Sequence, residues 1–521
     1  KLSPVWSWLV SSKPVSFKQI LLLIAPAVIA GSLVRILLLL AIPQGYFGAD
    51  SNSYYQFTDQ FWNHNVLFNL SEKRRWFYPL FLFFTSLFPV PSWYSVPLIQ
   101  HCLGLLSILG IGWSCAQVVN RPRLIVPFVA LICSLWPRMI WYEHEFIAEA
   151  LQLTSFILVI ALLLTPSIVR SRNGLLALMV AFSLLAGMKG SSRFIWLGCV
   201  IGLFLLHRDP RRWMWTRISA FCAAFSFLLV STVGKTSQGD WLALSSSLPL
   251  VRIEGQPYPI YRSWLKGQII EARRYGDDYP WKAKVYKKRL VQENPSLAFD
   301  PRWAVLRRDK ELFPKVLRAF WTDAVLRNPV RFANFTLKTF FIALSSTTIN
   351  YRLDPQNFWP EQLSNTQDRF EREPRYFNRP FGIKNKISFD EMYEKGMKNR
   401  FLAYPLMIKM NQYFGWMSQI RRSESTGGKD LFPYFYPKPM SYSAFAGIVG
   451  GMIFSAKRLK LVILFIPLFL YLSSSFAVGD AVSRYLQPVE WLGVIFAGVA
   501  LDLVIGFIIW IRFRVLTTVS V

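Results

Sequence analysis

Apolar residues gather into long runs separated by short polar joints, near 20–42, 93–117, 124–140, 146–165, 174–188, 192–207, 217–234, 441–456, 460–477 and 489–512. Each has about 17 to 25 residues, or slightly fewer between tight turns, which is the length an α-helix needs to cross a bilayer. Lipid offers no partner to an unpaired backbone N–H or C=O, so the runs are expected to be helices. The pattern predicts a mainly α, polytopic membrane protein with about ten spans. Residues 1–19 form an N-terminal tail, and 20–234 a seven-helix module that includes a first external loop at 43–92 with interfacial helices. Residues 235–440 form a mixed, polar, proline-punctuated external region, 441–512 a three-helix module, and 513–521 a second tail. Trp76–Phe88 is apolar but short and closes on Pro89 and Pro91, which predicts a re-entrant or interfacial helix. Residues 329–350 start amphipathic and turn apolar; they are read as a helix lying in the interface.

Composition agrees with a bilayer solvent: 53% of the 521 residues are hydrophobic and 16% aromatic, too many for an ordinary soluble enzyme. The net charge of +29 must then sit in loops, where it meets anionic lipid, phosphate or acidic glycans. No recognition motif accompanies it, so nucleic acid is not an expected partner. Across the short loops, about 16 basic residues, from Lys1, Lys13 and Lys18 through Arg121, Arg123, Lys457, Arg458 and Lys460 to Arg512 and Arg514, fall on one side with the single acid Asp209. By the positive-inside rule that side is cytoplasmic and holds both termini. The first run is long and lacks a small-residue cleavage site, so it reads as a retained anchor. A bacterial inner membrane is the expected location, although Asn69 and Asn334 stand in sequons that leave the compartment open. The region 235–440 is also basic, with roughly 35 Lys and Arg against 20 Asp and Glu. Aromatic and basic residues interleave at 258–274 and 281–289, a composition suited to sugar rings and acidic substituents.

Candidate chemistry begins just after the first run, in Tyr46-Phe47-Gly48-Ala49-Asp50-Ser51-Asn52-Ser53-Tyr54-Tyr55. A carboxylate there lies at membrane-surface depth and suits a general base on a hydroxyl; the competing reading is a helix N-cap. On the same predicted side emerge Lys73, Arg74, Arg75, Arg138, Glu143, His144, Glu145, Lys189, Arg193 and Arg484. The cations suit a phosphate, and Arg193 and Arg484 stand first because guanidinium binds phosphate in bidentate fashion. Anchoring to head groups is the plainer role of Lys73 to Arg75, and snorkelling that of Arg138. Glu143, His144 and Glu145, with Tyr54 and Tyr485, are candidate substrate contacts or secondary acids. Adjacent helical residues diverge, so the Glu-His-Glu triplet is a poor chelate. No metal site and no cofactor is assigned, a divalent ion being the nearest alternative.

His64, His101 and His207 read as interfacial or packing residues, and Cys102, Cys115, Cys133, Cys199 and Cys222 as buried small hydrophobes without disulfides. Arg35 and Asp502 lie inside the first and last runs. They must face protein or water, paired with each other or with Glu149.

The Asp50 loop, followed by an aromatic helix and Lys73-Arg74-Arg75-Trp76-Phe77-Tyr78-Pro79, resembles the first extracytoplasmic loop of GT-C glycosyltransferases, particularly bacterial relatives of lipid A aminoarabinose transferases and protein O-mannosyltransferases. Glu145-Phe146-Ile147-Ala148-Glu149-Ala150, Gly187-Met188-Lys189-Gly190-Ser191-Ser192-Arg193, Asn328-Pro329-Val330-Arg331-Phe332 and Arg484-Tyr485-Leu486-Gln487-Pro488 are similar to later elements of that superfamily, in order. One departure is Ser51, where several branches carry a second acid; this argues against a two-acid or metal-binding first loop. The resemblance implies a GT-C fold and inverting transfer of a sugar from a polyprenyl-phosphate donor to a lipid, glycan or protein acceptor. Asp50 would be the base and the cations the phosphate ligands. A transporter or flippase of lipid-linked saccharides would instead show repeated halves, and no repeat is visible. A non-catalytic membrane scaffold is the third reading.

Overall fold

The computed structural model describes residues 4–41, 45, 51, 54, 77–88, 92–189, 192–206, 438–475 and 488–519. Helices dominate: α1 (Pro4–Leu9), α2 (Phe17–Ala41), α3 (Phe77–Thr85), α4 (Ser92–Val118), α5 (Pro122–Ser134), α6 (Pro137–His144), α7 (Glu149–Leu163), α8 (Pro166–Arg170), α9 (Arg172–Met188), α10 (Ser192–Leu206), α11 (Lys438–Phe454), α12 (Arg458–Ser475) and α13 (Glu490–Val519). Among the described residues no strand forms; Glu145 makes only an isolated bridge. The expected run at 217–234 and the external region 235–440 lie outside the described residues.

Among the described residues three helices are long and apolar enough to cross a membrane, over Phe17–Leu40, Tyr94–Val118 and Glu490–Arg512, and five shorter apolar helices accompany them. This is a mainly α membrane protein. Its outer surface carries the apolar load: Leu22, Ile29, Leu33, Ile36 and Leu40 on α2, and Val504, Phe507, Ile508 and Trp510 on α13, are all exposed. Polar groups instead go inward, with Arg35, Gln100, His101, Glu143, Glu149 and Gln152 buried. In water such an apolar surface would aggregate; in lipid it is the natural arrangement.

Helix α2 packs on α4 and α5, α4 also on α7, and α7 on α9, while α10 pairs with α12 and α11 with α13. Close approach of the last pair depends on Gly447, where an added Cβ would run into the Phe496 carbonyl. A broad aliphatic core joins these helices. A smaller aromatic cluster of Tyr54, Tyr78, Leu82, Val96, Phe146, Leu151 and Met188 sits apart from it.

One boundary departs from expectation. The run at 124–140 is not one helix, because α5 ends at Ser134 and α6 begins at Pro137. Trp136 is extended at φ −70 and ψ 113, as the clash of a following proline ring demands, and Pro137 starts the next helix at a position that needs no N–H. The Trp136 indole donates to Glu490 at 3.0 Å, tying the break to the start of α13. Through this break, α6 packs its residues against α4.

The second departure concerns the deep charges. Arg35 and Asp502 do not pair with each other: Arg35 binds Glu143, whereas Asp502 accepts from the Arg121 guanidinium at 2.9 Å and the Asn120 N–H at 2.7 Å. Glu143 meets His101 in the first half of α4 and Asp502 meets Asn120 just past its last residue, so Arg35 and Asp502 belong to opposite ends of that helix. At the Asp502 end, Lys457 donates to the Val119 carbonyl and Lys460 to Gln117 at 3.0 Å, so the basic joints expected on one side do meet. Burial, then repulsion from Lys460, pushes the Lys457 ammonium below its ordinary range. Asp502→Ala should therefore destabilise the protein by about 1–3 kcal/mol, since it strands the Asn120 N–H and the Arg121 guanidinium. Thermal unfolding in detergent checks this, and an unchanged midpoint would show that the pair contributes nothing.

The cysteine reading holds for Cys115, Cys133 and Cys199, which are buried thiols. Cys102 is instead exposed, and Cys222 lies outside the described residues.

Candidate functional site at the Arg35 end of the bundle

The site is built around a carboxylate that cannot reach water. Glu143, near the end of α6, is 1% exposed and takes two hydrogen bonds from Arg35, Nε to Oε2 and Nη2 to Oε1, each 2.7 Å. Two parallel N–H bonds from a guanidinium fork are the strongest arrangement available to a buried carboxylate. The remaining Arg35 donor, Nη1, reaches the carbonyls of Gly31 at 3.2 Å and Ser134 at 2.9 Å. Every nitrogen of the guanidinium is thus engaged, which is what allows Arg35 to be buried in an otherwise apolar helix. Gly104 on α4 makes the room: a Cβ there would occupy the space of the Glu143 carboxylate.

His101, one turn before Gly104, extends the network. Its Nδ1 lies 2.8 Å from Glu143 Oε2 and its Nε2 lies 3.1 Å from Nδ1 of His144. Gln100 secures the turn between α6 and α7, where its Nε2 donates to the carbonyls of Glu143 at 2.9 Å and Glu145 at 2.8 Å. Its Oε1 accepts from the Tyr78 hydroxyl at 3.1 Å, and the Tyr78 ring meets Tyr54 edge-on at 4.8 Å between centroids. Tyr54 is therefore buried beside the network, and Ser51, three residues before it, is buried as well.

A second pair stands beside it. Lys189, in the joint between α9 and α10, binds Glu149 at the start of α7 at 2.5 Å. Three buried polar groups find no hydrogen-bond partner among the described residues: the Gln152 carboxamide, one turn along α7 from Glu149, the Ser192 hydroxyl at the start of α10, and the Ser51 hydroxyl next to Asp50 in the chain. A buried orphan costs about 1–3 kcal/mol, so its persistence points to a ligand or water that completes it. Three such groups at one end of the bundle outline polar space. Among the described residues no group of three His, Cys, Asp or Glu side chains has the arrangement to hold a metal ion.

Of the sequence candidates, the structure brings together Glu143, His144, Glu145, Lys189 and Tyr54. Arg138 and Arg193 are described by backbone alone, near the starts of α6 and α10. Asp50, Lys73, Arg74, Arg75, Arg484 and Tyr485 lie outside the described residues, as do His64 and His207. His101 was expected to be a packing residue and is instead the centre of the network; only its one-turn spacing from Gly104 hints at a polar face. Gln100, Gln152 and Glu490 went unrecognised, because isolated polar residues in apolar runs carry no spacing signal.

No family model and no curated protein sequence matches the chain. Among solved structures it is similar to the Archaeoglobus fulgidus oligosaccharyltransferase in its complex with zinc and sulfate, with 11% identity and a TM-score of 0.38 over 95% of this chain and 51% of that one. It is also similar to the same protein tethered with an acceptor peptide containing the NVT sequon via a disulfide bond, with 11% identity and a TM-score of 0.42 over 93% and 50%. The apo form gives 11% and 0.42 over 94% and 51%. The chain thus spans about half the length of these proteins. Likeness of this degree decides neither family nor activity.

Proposed function

We propose that this chain is an integral membrane glycosyltransferase of GT-C type. It moves a sugar from a polyprenyl-phosphate carrier to a lipid, glycan or protein acceptor at the extracytoplasmic face, with inversion and with Asp50 as general base. The observation that carries the reading is the gathering of ionised and unsatisfied polar groups at one end of an apolar bundle, where the first loop returns Ser51 and Tyr54 into the core. A lipid-linked donor would present its phosphate and sugar at that depth. Departure of the phosphate calls for nearby cations, the role assigned to Arg193 and Arg484, with Arg74, Arg75, Arg138 and Lys189 in support. The orphaned Gln152, Ser192 and Ser51 groups would meet sugar hydroxyls, and Glu145, Tyr54 and Tyr485 would line the remaining sides.

The inner membrane of a bacterium is the proposed setting, with both termini in the cytoplasm. The test is reconstitution in vesicles with a panel of polyprenyl-phosphate sugars, following free polyprenyl phosphate and transferred sugar together. Stoichiometric appearance of both is expected. A donor that crosses the bilayer with its sugar–phosphate bond intact would establish a flippase instead.

A further inference from the structure

The first turn of α5, beside the Asp502 joint, buries a cation without a counterion. Arg123 is 7% exposed and makes no hydrogen bond or ion pair among the described residues, and its Nε is fully enclosed. An unpaired buried guanidinium is costly anywhere. This one stands at the end of a helix where the peptide dipoles already place partial positive charge. No acid occupies that turn, and the N-cap residue Arg121 gives no side-chain cap. Pro122 has no N–H, and the Leu124 and Ile125 N–H groups both return to the Arg121 carbonyl, at 3.2 and 3.1 Å; among the described residues the Arg123 N–H has no acceptor. Helical Cα–Cβ bonds tilt toward the N-terminus, so the Arg123 side chain leans back over this same open end. Its guanidinium lies over the Trp8 ring, 5.3 Å from the centroid, with α1 packed on α5. Asp502 is already bound by Arg121 and the Asn120 N–H, and Lys457 and Lys460 rest on neutral acceptors, so none of these groups balances Arg123.

We propose that the start of α5 binds the headgroup phosphate of an anionic phospholipid, with Arg123 as its guanidinium ligand and Trp8 alongside. The phosphate oxygens accept from the Arg123 side chain and from its N–H, against the positive end of the helix. The surroundings suit a lipid better than a free anion. Trp6 and Trp8 on α1 are 40% and 51% exposed, as tryptophans at a membrane–water boundary are, and Phe128 and Leu131 farther along α5 are exposed to meet an acyl chain. An anionic headgroup suits the joint better than a zwitterionic one. Choline or ethanolamine brings a further cation to a place that already holds Lys457, Arg458 and Lys460, whereas a headgroup of net negative charge lowers the repulsion among them. Bound there, the lipid fastens α1 to α5 and completes a turn that the chain leaves open. The inference is independent of sugar transfer and holds for any activity at the Arg35 end.

The test is native mass spectrometry of the purified full chain in detergent, titrated with phosphatidylglycerol, phosphatidylcholine or inorganic phosphate. Phosphatidylglycerol should bind in preference to phosphatidylcholine, and Arg123→Gln should weaken that binding about 10-fold. Arg458→Gln removes an exposed cation from the same end and should leave the binding unchanged. Trp8→Ala should weaken it as well; Trp8 is half-exposed and outside the aliphatic core, so this variant serves if Arg123→Gln misfolds. An equal loss in Arg458→Gln would mean diffuse attraction by a charged face and would overturn the site. Equal binding of phosphatidylcholine, or undiminished binding in both Arg123→Gln and Trp8→Ala, would overturn it too. Displacement of the lipid by inorganic phosphate would overturn the assignment to lipid and make a soluble anion the ligand.

Discussion

Arg35→Met should destabilise the folded protein by about 3–5 kcal/mol, because it leaves the Glu143 carboxylate charged, buried and without its counterion. The expected loss is large for a specific reason. Among the described residues Arg35 makes two of the three side-chain contacts to that carboxylate and also ties α2 to the Ser134 carbonyl at the end of α5, so the substitution loosens three helices together. The pair itself is a different matter. Removing two charges from water costs nearly what their attraction returns, so Arg35→Met combined with Glu143→Leu should recover most of the loss. Thermal unfolding of both variants in detergent checks the argument. A single variant no less stable than the double one would show that Glu143 was not held as an ion.

That contrast separates stability from chemistry. The doubly apolar variant should fold, yet it removes both buried charges and the carboxylate that His101 contacts, so its turnover should stay low after its melting temperature has recovered. A buried ion pair at a helix break is weak support for stability and a better sign that the site needs the charge.

Much of the fold was legible from hydrophobic pattern alone. The runs at 93–117, 174–188 and 192–207 fall almost on α4, α9 and α10, because long apolar segments between Gly, Pro and charged joints leave little freedom in their ends. The break at Trp136 was missed although Pro137 was in plain view. A proline in a membrane helix is often tolerated, and only tertiary partners such as Glu490 decide otherwise. Of the site, the triplet Glu143-His144-Glu145 was singled out in the sequence and its members are buried in the structure. The site was not legible in its pairing. Arg35 meets a residue 108 positions away, and the one-dimensional pattern cannot distinguish Glu143 from Asp502 or Glu149 as its partner. His101 and Gln100 were passed over because a lone polar residue in an apolar run signals only that something inward-facing awaits it.

Asp50→Asn is the second large effect, and it discriminates between the two readings of that residue. Asparagine caps a helix about as well as aspartate, so if Asp50 is only an N-cap the substitution is silent in both stability and rate. A general base, in contrast, loses its proton affinity with the carboxylate, and about a 100- to 10,000-fold fall in turnover is expected with donor binding unchanged. The decisive measurement is therefore the release of polyprenyl phosphate by reconstituted wild type and Asp50→Asn protein, with bound donor quantified by mass spectrometry in both. The account predicts equal donor occupancy and at least a 100-fold lower rate for the variant. Equal rates would contradict it.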